Sequence, residues 1–159
     1  VRSLRIVGPE PDTDALRAYV DTALERAAQV GGRIVVFGSA GARNVPDGFP
    51  PERALSQIAD FLALCGDVAA RTGVTVVVEP LCRDESNVIH TVAQGDALVR
   101  RVGMPGVRNL ADTYHMERGD DPLEEIVAHA DTLAHVHTAD TGREAPGTGT
   151  YDHVALFRA

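Results

Sequence analysis

The sequence predicts a parallel α/β fold, and three observations carry that prediction. Short valine-rich runs alternate with amphipathic helical stretches, most of these runs are closed by a glycine or a polar residue, and polar chemistry collects where the runs finish. Four strands alternate with helices in this way, which leaves two architectures open: a doubly wound sheet, or part of a βα barrel.

The elements follow in order. VRSLRIVGPEPD is a loop-like opening. Apolar pairs at Ala15/Leu16, Tyr19/Val20, Ala23/Leu24 and Ala27/Ala28 then recur every four residues, which places them on one helix face with Asp12 or Thr13 as the cap. Arg33 to Gly38 (RIVVFG) is β-branched and closed by glycine, the pattern of a strand buried on both faces. The glycine-rich GSAGAR, Gly38 to Arg43, reads as a tight turn rather than a phosphate cradle. Pro50 and Pro51 open a second helix with Leu55, Ile58, Ala59, Leu62, Cys65 and Ala69 on its apolar face, and Gly73 ends it. Val74 to Val78 is the second strand. A third helix from about Thr91 to Val102, a third strand from Val107 to Ala111, a fourth helix starting at Asp121-Pro122 and a last strand from Leu133 to Thr138 complete the pattern. The acidic run Glu117 to Asp121 is a solvated loop leading into that fourth helix, and PGTGTYD, Pro146 to Asp152, is a turn sequence. In DHVALFRA, Val154, Leu156 and Phe157 have the spacing of the first turns of an amphipathic helix.

Composition sets the class. With 159 residues and 44% hydrophobic content the chain can bury one core, so residues 1–159 are read as a single domain. Because it starts without Met and stops inside a helical pattern, that domain is expected to be incomplete at both ends. Fifteen basic against 23 acidic residues give a formal charge of −8, which repels phosphate backbones and anionic membranes, so neither nucleic acid nor membrane is an expected partner. Two cysteines without metal-type spacing are read as free thiols of a reducing compartment. With no signal peptide and no bilayer-spanning run, a cytoplasmic protein is expected, with a homo-oligomer left open.

In either architecture ligands bind at the carboxyl ends of the strands. There Glu79 follows VTVVV, Asp112 follows VRNLA, and His137 falls near the end of LAHVH. Each alone reads as a helix cap or a local hydrogen-bonding group, but independent caps have no reason to recur at one strand-end position. Two hard oxygen donors and one borderline nitrogen suit Mn²⁺, Co²⁺, Mg²⁺ or Zn²⁺. His135 shares strand parity with His137 and is read either as a support to it or as a satisfied core histidine; His90, His129 and His153 are read as surface residues.

Three paired spacings then carry a family resemblance. VVVEPL with Glu85 six residues after Glu79, ADTYHM with His115 three after Asp112, and HVHTADTGR with Arg143 six after His137 resemble the xylose isomerase-like TIM-barrel superfamily of sugar phosphate isomerases and epimerases, the ketose 3-epimerases above all. The resemblance implies a partial (β/α)8 TIM barrel made of about the fourth to seventh strands with their helices. It implies Glu79, Asp112 and His137 as ligands of a divalent metal, Mn²⁺ or Co²⁺ first and Mg²⁺ or Zn²⁺ after them, with Glu79 also the catalytic acid/base. Glu85, His115 and Arg143 match positions that hold the sugar. The implied reaction is metal-dependent isomerisation or epimerisation of a ketose or related small sugar through an enediolate. In the family a fourth ligand, a second catalytic glutamate on the eighth strand, would lie beyond Ala159. Cys82 departs from the pattern, standing where relatives often have Asn.

Two other classes share parts of this reading. A metal-dependent hydrolase of the abasic-site endonuclease branch uses the same barrel, but calls for more rim histidines and a basic surface; tight binding to abasic duplex at low salt would select it. A non-catalytic open-sheet binding module would unfold cooperatively as a 159-residue monomer.

Overall fold

Asp12 accepts the Ala15 N–H through its side chain at 2.9 Å and so starts helix α1, Thr13–Gln29, in a computed structural model that describes residues 4–158. Strand β1, Ile34–Phe37, leads to a short helix α2, Ala40–Arg43. Pro51, at the first turn where its missing N–H costs nothing, opens α3, Pro51–Thr72, and Gly73 closes it at φ 72°. Strand β2, Thr75–Val78, is followed by a loop and by α4, Val92–Val102, capped by the Thr91 side chain. Then come β3, Val107–Asp112; two short helices, α5, Thr113–Arg118, and α6, Glu124–Ala128; β4, Leu133–His137; a 3-10 turn at Thr141–Arg143; and α7, His153–Leu156.

All four strands are parallel and lie in the order β1-β2-β3-β4, as the alternation predicts. Phe37 pairs with Val78 and Asp112 with His137, so β1 ends level with β2 and β3 with β4, while Val78 pairs with Asn109 and β3 runs three residues further. α1 and α3 pack on each other and cover one face of the sheet with Leu16, Val20, Leu24, Ile58, Leu62 and Val68, all buried. Removing a side chain such as Leu62 from water contributes about 1.5–3 kcal/mol.

The structure corrects several expectations. Burial on both faces, expected of β1, is found at β2 and β3 instead: Ile34 and Val36 are exposed on β1, an outer strand with one neighbour among the described residues, as are Ala134 and Val136 on β4 at the other edge. GSAGAR is a helical turn whose Arg43 is fully buried. His90 is buried, its Nδ1 3.0 Å from the Leu81 carbonyl oxygen, and His129 and His153 are partly covered, paired with Asp96 and Asp140. α5 has no counterpart in the sequence reading, which placed the next helix only at Asp121-Pro122.

Both cysteines are free and buried. Burial in the apolar core pushes the Cys65 thiol up to about 12, leaving almost no thiolate at neutral pH. A disulfide reagent should therefore leave Cys65 unmodified in the folded chain and modify it fully in denaturant; labelling followed by mass spectrometry of the cysteine-containing peptides measures this.

Candidate active site

The rim is built by strand register. Glu79 directly follows β2, Asp112 ends β3 and His137 ends β4, so the pairing that aligns the strands also brings the three side chains together. His137 Nδ1 stands 2.9 Å from Glu79 Oε1 and 3.2 Å from Asp112 Oδ2. His115 belongs to the same group: one donor atom from each of Glu79, Asp112 and His115 lies within 4.8 Å of the others.

Asp112 performs two tasks at once. Its Oδ1 accepts the N–H groups of Tyr114 at 2.9 Å and His115 at 3.3 Å, capping α5, while Oδ2 faces His137. Of the two readings that the sequence sets against each other, the cap is made by Oδ1 alone, which leaves Oδ2 to the cluster. The same cap fixes where α5 begins, and hence where His115 sits.

His115 is 2% exposed, and its Nδ1 accepts the Cys82 N–H at 3.3 Å with the Cys82 sulfur 3.4 Å away. With Nδ1 an acceptor, a neutral ring carries its proton on Nε2, and that nitrogen is buried with no hydrogen-bond partner among the described residues.

Glu85 and Arg143 lie at the exposed side. Arg143 Nη1 donates to Glu85 Oε1 at 3.0 Å, and the guanidinium stacks 4.6 Å above the Tyr114 ring centre. Glu85, Cys82 and His115 also bring donor atoms within 4.8 Å of one another. All six residues singled out in the sequence thus form one continuous set. His135 packs edge-on to His137 with ring centres 5.1 Å apart.

Three residues of this neighbourhood were not assigned to it from the sequence. Tyr114, the platform under Arg143, carried no spacing signal. Gly38, at the end of β1, leaves room for Glu79: a β-carbon there would stand 1.9 Å from Glu79 Oε2. Arg43 donates from Nη1 to the Phe37 carbonyl at 3.0 Å and from Nη2 to the Glu79 carbonyl at 2.7 Å, tying the ends of β1 and β2 together. Burial lowers its guanidinium to about 10, so it stays charged at neutral pH. The glycine-rich stretch that reads as a tight turn therefore supports the glutamate.

The two separations that His137 makes with the carboxylates suit neighbouring ligands of a divalent cation, since two ligands at right angles on arms of about 2.1 Å are about 3.0 Å apart. The two carboxylates together carry two negative charges, which one imidazolium would leave half compensated and a dication would balance.

Comparison with known proteins agrees with this architecture. The chain belongs to the xylose isomerase-like TIM-barrel family, whose model matches residues 4–159. The four parallel strands with their helices are accordingly part of a (β/α)8 barrel, not a self-contained open sheet. The chain is 35% identical over 146 residues to the 3-dehydro-D-guloside 4-epimerase of Escherichia coli (strain K12), a match that covers 87% of this chain and 55% of that protein. It is 36% identical over 84 residues to the D-psicose 3-epimerase of Agrobacterium fabrum, covering 52% of this chain and 29% of that one. A solved apo structure of the 3-keto-D-glucoside 4-epimerase from E. coli superposes with a TM-score of 0.78 at 32% identity, over 89% of this chain and 57% of its own. The chain thus spans little more than half the length of the E. coli relative. Among the described residues no helix is long and apolar enough to cross a membrane.

Proposed function

We propose that the whole protein is a divalent-metal-dependent sugar epimerase or isomerase, acting on a ketose or a related small keto-sugar through an enediolate. The observation that carries this reading is the convergence of Glu79, Asp112 and His137 from three consecutive strands within 2.9 and 3.2 Å contacts. Relatives named as epimerases of keto-sugars support it.

Glu79, Asp112 and His137 would hold the metal, with Mn²⁺ or Co²⁺ the first choices, and His115 stands beside two of them as a hydrogen-bond donor rather than a ligand. When bound, the cation supplies Lewis-acid stabilisation of negative charge on the sugar oxygens. The remaining chemistry belongs to side chains. Glu79 takes the proton from the carbon beside the carbonyl, and the C–H electron pair becomes the enediolate. His115 Nε2–H and the Arg143 guanidinium donate hydrogen bonds to sugar oxygens, and Arg143 keeps its charge throughout. Return of a proton to the same carbon from the opposite face gives the epimer; return to the adjacent carbon gives the isomer. The resemblance assigns the opposite-face acid to a second glutamate outside these 159 residues. Two buried free thiols and a charge of −8 favour a cytoplasmic setting without nucleic-acid or membrane partners.

Metal and sugar contacts separate by mutation. His137→Ala should weaken Mn²⁺ binding by roughly 10- to 100-fold, whereas Arg143→Ala should leave it within about twofold, because a guanidinium has no lone pair for a cation. Calorimetric titration of both variants with Mn²⁺ decides this, and equal loss in the two contradicts the assignment.

A further inference from the structure

The segment after β4 carries Arg143, and it is wound around one buried carboxylate. Asp140 is 1% exposed. Its Oδ1 accepts the N–H groups of Thr141 and Tyr151, each at 2.9 Å, while Oδ2 accepts that of Gly147 at 2.8 Å and lies 3.2 Å from His153 Nε2. The main chain of the same residue closes the turn: Asp140 N–H donates to the Glu144 carbonyl at 2.9 Å, and Arg143 N–H donates to the Asp140 carbonyl at 3.0 Å. Gly149 passes so close that a β-carbon on it would stand 2.3 Å from Asp140 Oδ1.

A carboxylate offers about four lone-pair sites, and here the N–H groups of Thr141, Tyr151 and Gly147, the Thr141 hydroxyl and His153 surround them. That saturation argues against Asp140 as a further metal ligand, although it stands only three residues beyond His137. Backbone donation, led by the Tyr151 N–H, holds its carboxyl well below the usual carboxylate range, so Asp140 is an anion at any working pH. Burying a charge is unfavourable unless it is fully hydrogen-bonded, and the bonds made here all organise one stretch of chain.

That stretch is backbone-strained where it matters. Arg143 adopts φ 68° and follows Gly142 at φ 72°. For a non-glycine residue this left-handed conformation persists only when the surroundings impose it. The groups that impose it are those bonded to Asp140, and the outcome is a guanidinium resting on Tyr114 and on Glu85, next to His115.

We propose that Asp140 is a positioning residue for the sugar-binding step: its buried carboxylate fixes the left-handed turn at Gly142–Arg143 and thereby aims Arg143 at the substrate. This rests on the reading of Arg143 as a sugar contact. Asp140 acts through Arg143 and touches neither metal nor sugar.

Asp140→Asn puts an NH₂ group against donors whichever way the amide turns, and so removes the anchor at almost constant volume. In the whole protein, the Arg143 Nε–H resonance should be displaced by the Tyr114 ring in the wild type and should move to the free-arginine position in Asp140→Asn, with Mn²⁺ affinity kept within about twofold; the missing peak in Arg143→Ala assigns the signal. In the whole protein, Asp140→Asn and Arg143→Ala should each raise the KM for a ketose by roughly tenfold, and the double variant should be no worse than Arg143→Ala alone. An unmoved Arg143 resonance, multiplicative kinetic effects, or metal loss in Asp140→Asn would each overturn the proposal. If Arg143→Ala leaves turnover and KM unchanged, the sugar-binding reading of Arg143 fails, and Asp140 with it as a residue of that step, whatever the resonance shows. Should Asp140→Asn not fold, Gly149→Ala crowds the same carboxylate from outside and must produce the same movement of the Arg143 signal.

Discussion

Glu79→Gln in the whole protein is expected to leave the fold and the neighbouring side chains in place and to lower turnover by a factor on the order of 10² or more. Gln matches Glu in length and shape, so the space left by Gly38 and the Arg43 bond to the residue 79 carbonyl are both retained. What changes is the oxygen that accepts the proton. Asp112 cannot easily replace it, since Oδ1 already receives two N–H groups and Oδ2 faces His137. His115 is no better placed, because its acceptor nitrogen receives the Cys82 N–H and its free nitrogen is a donor. The amide also ligates a cation less well than a carboxylate, so the comparison is made at saturating Mn²⁺, where any remaining deficit belongs to proton transfer rather than to metal occupancy. The readout is substrate-dependent exchange of a carbon-bound hydrogen with solvent. Undiminished exchange in the variant would assign the base to another residue.

Much of this geometry was legible in the sequence because strand period and register are local rules. Two β-branched runs and two apolar runs between helical stretches mark four strands, parallel pairing sets them side by side, and a polar residue at each of three consecutive ends then falls on one side of the sheet. The same reasoning overreached where burial depends on neighbours: Ile34 and Val36 have the hydropathy of doubly buried strand residues, yet stand on a strand with one partner among the described residues. α5 escaped because ADTYHM carries no apolar stripe of its own; the helix exists because Asp112 caps it, and sequence offers no means of telling that one carboxylate serves both as a cap and in the cluster. His90 was misplaced for a related reason: it reads as a surface residue, yet it is buried with its Nδ1 against the Leu81 carbonyl, as Arg43 in the glycine-rich stretch is buried against the carbonyls of Phe37 and Glu79.

Gly38→Ala tests the most demanding of these close approaches. Gly38 has no left-handed φ, so alanine is conformationally acceptable and the loss on substitution is not a backbone effect. The obstacle is steric, because the new methyl group would stand 1.9 Å from Glu79 Oε2 and 3.1 Å from the carboxyl carbon. A carboxylate at the end of a flexible side chain can swing away, which predicts a folded protein with little change in thermal stability. It cannot swing away and also keep Oε1 within 2.9 Å of His137, so the cluster opens. Mn²⁺ affinity should fall by roughly 10- to 100-fold, the usual consequence of disturbing what orients a ligand. Turnover at saturating metal should fall as well, because the base is displaced from the carbon it must reach. Thermal denaturation together with metal titration separates the outcomes: a variant that melts like the wild type but binds Mn²⁺ poorly supports the close packing of Gly38 against Glu79. Unchanged metal affinity would mean that the carboxylate does not hold this position in the functional site.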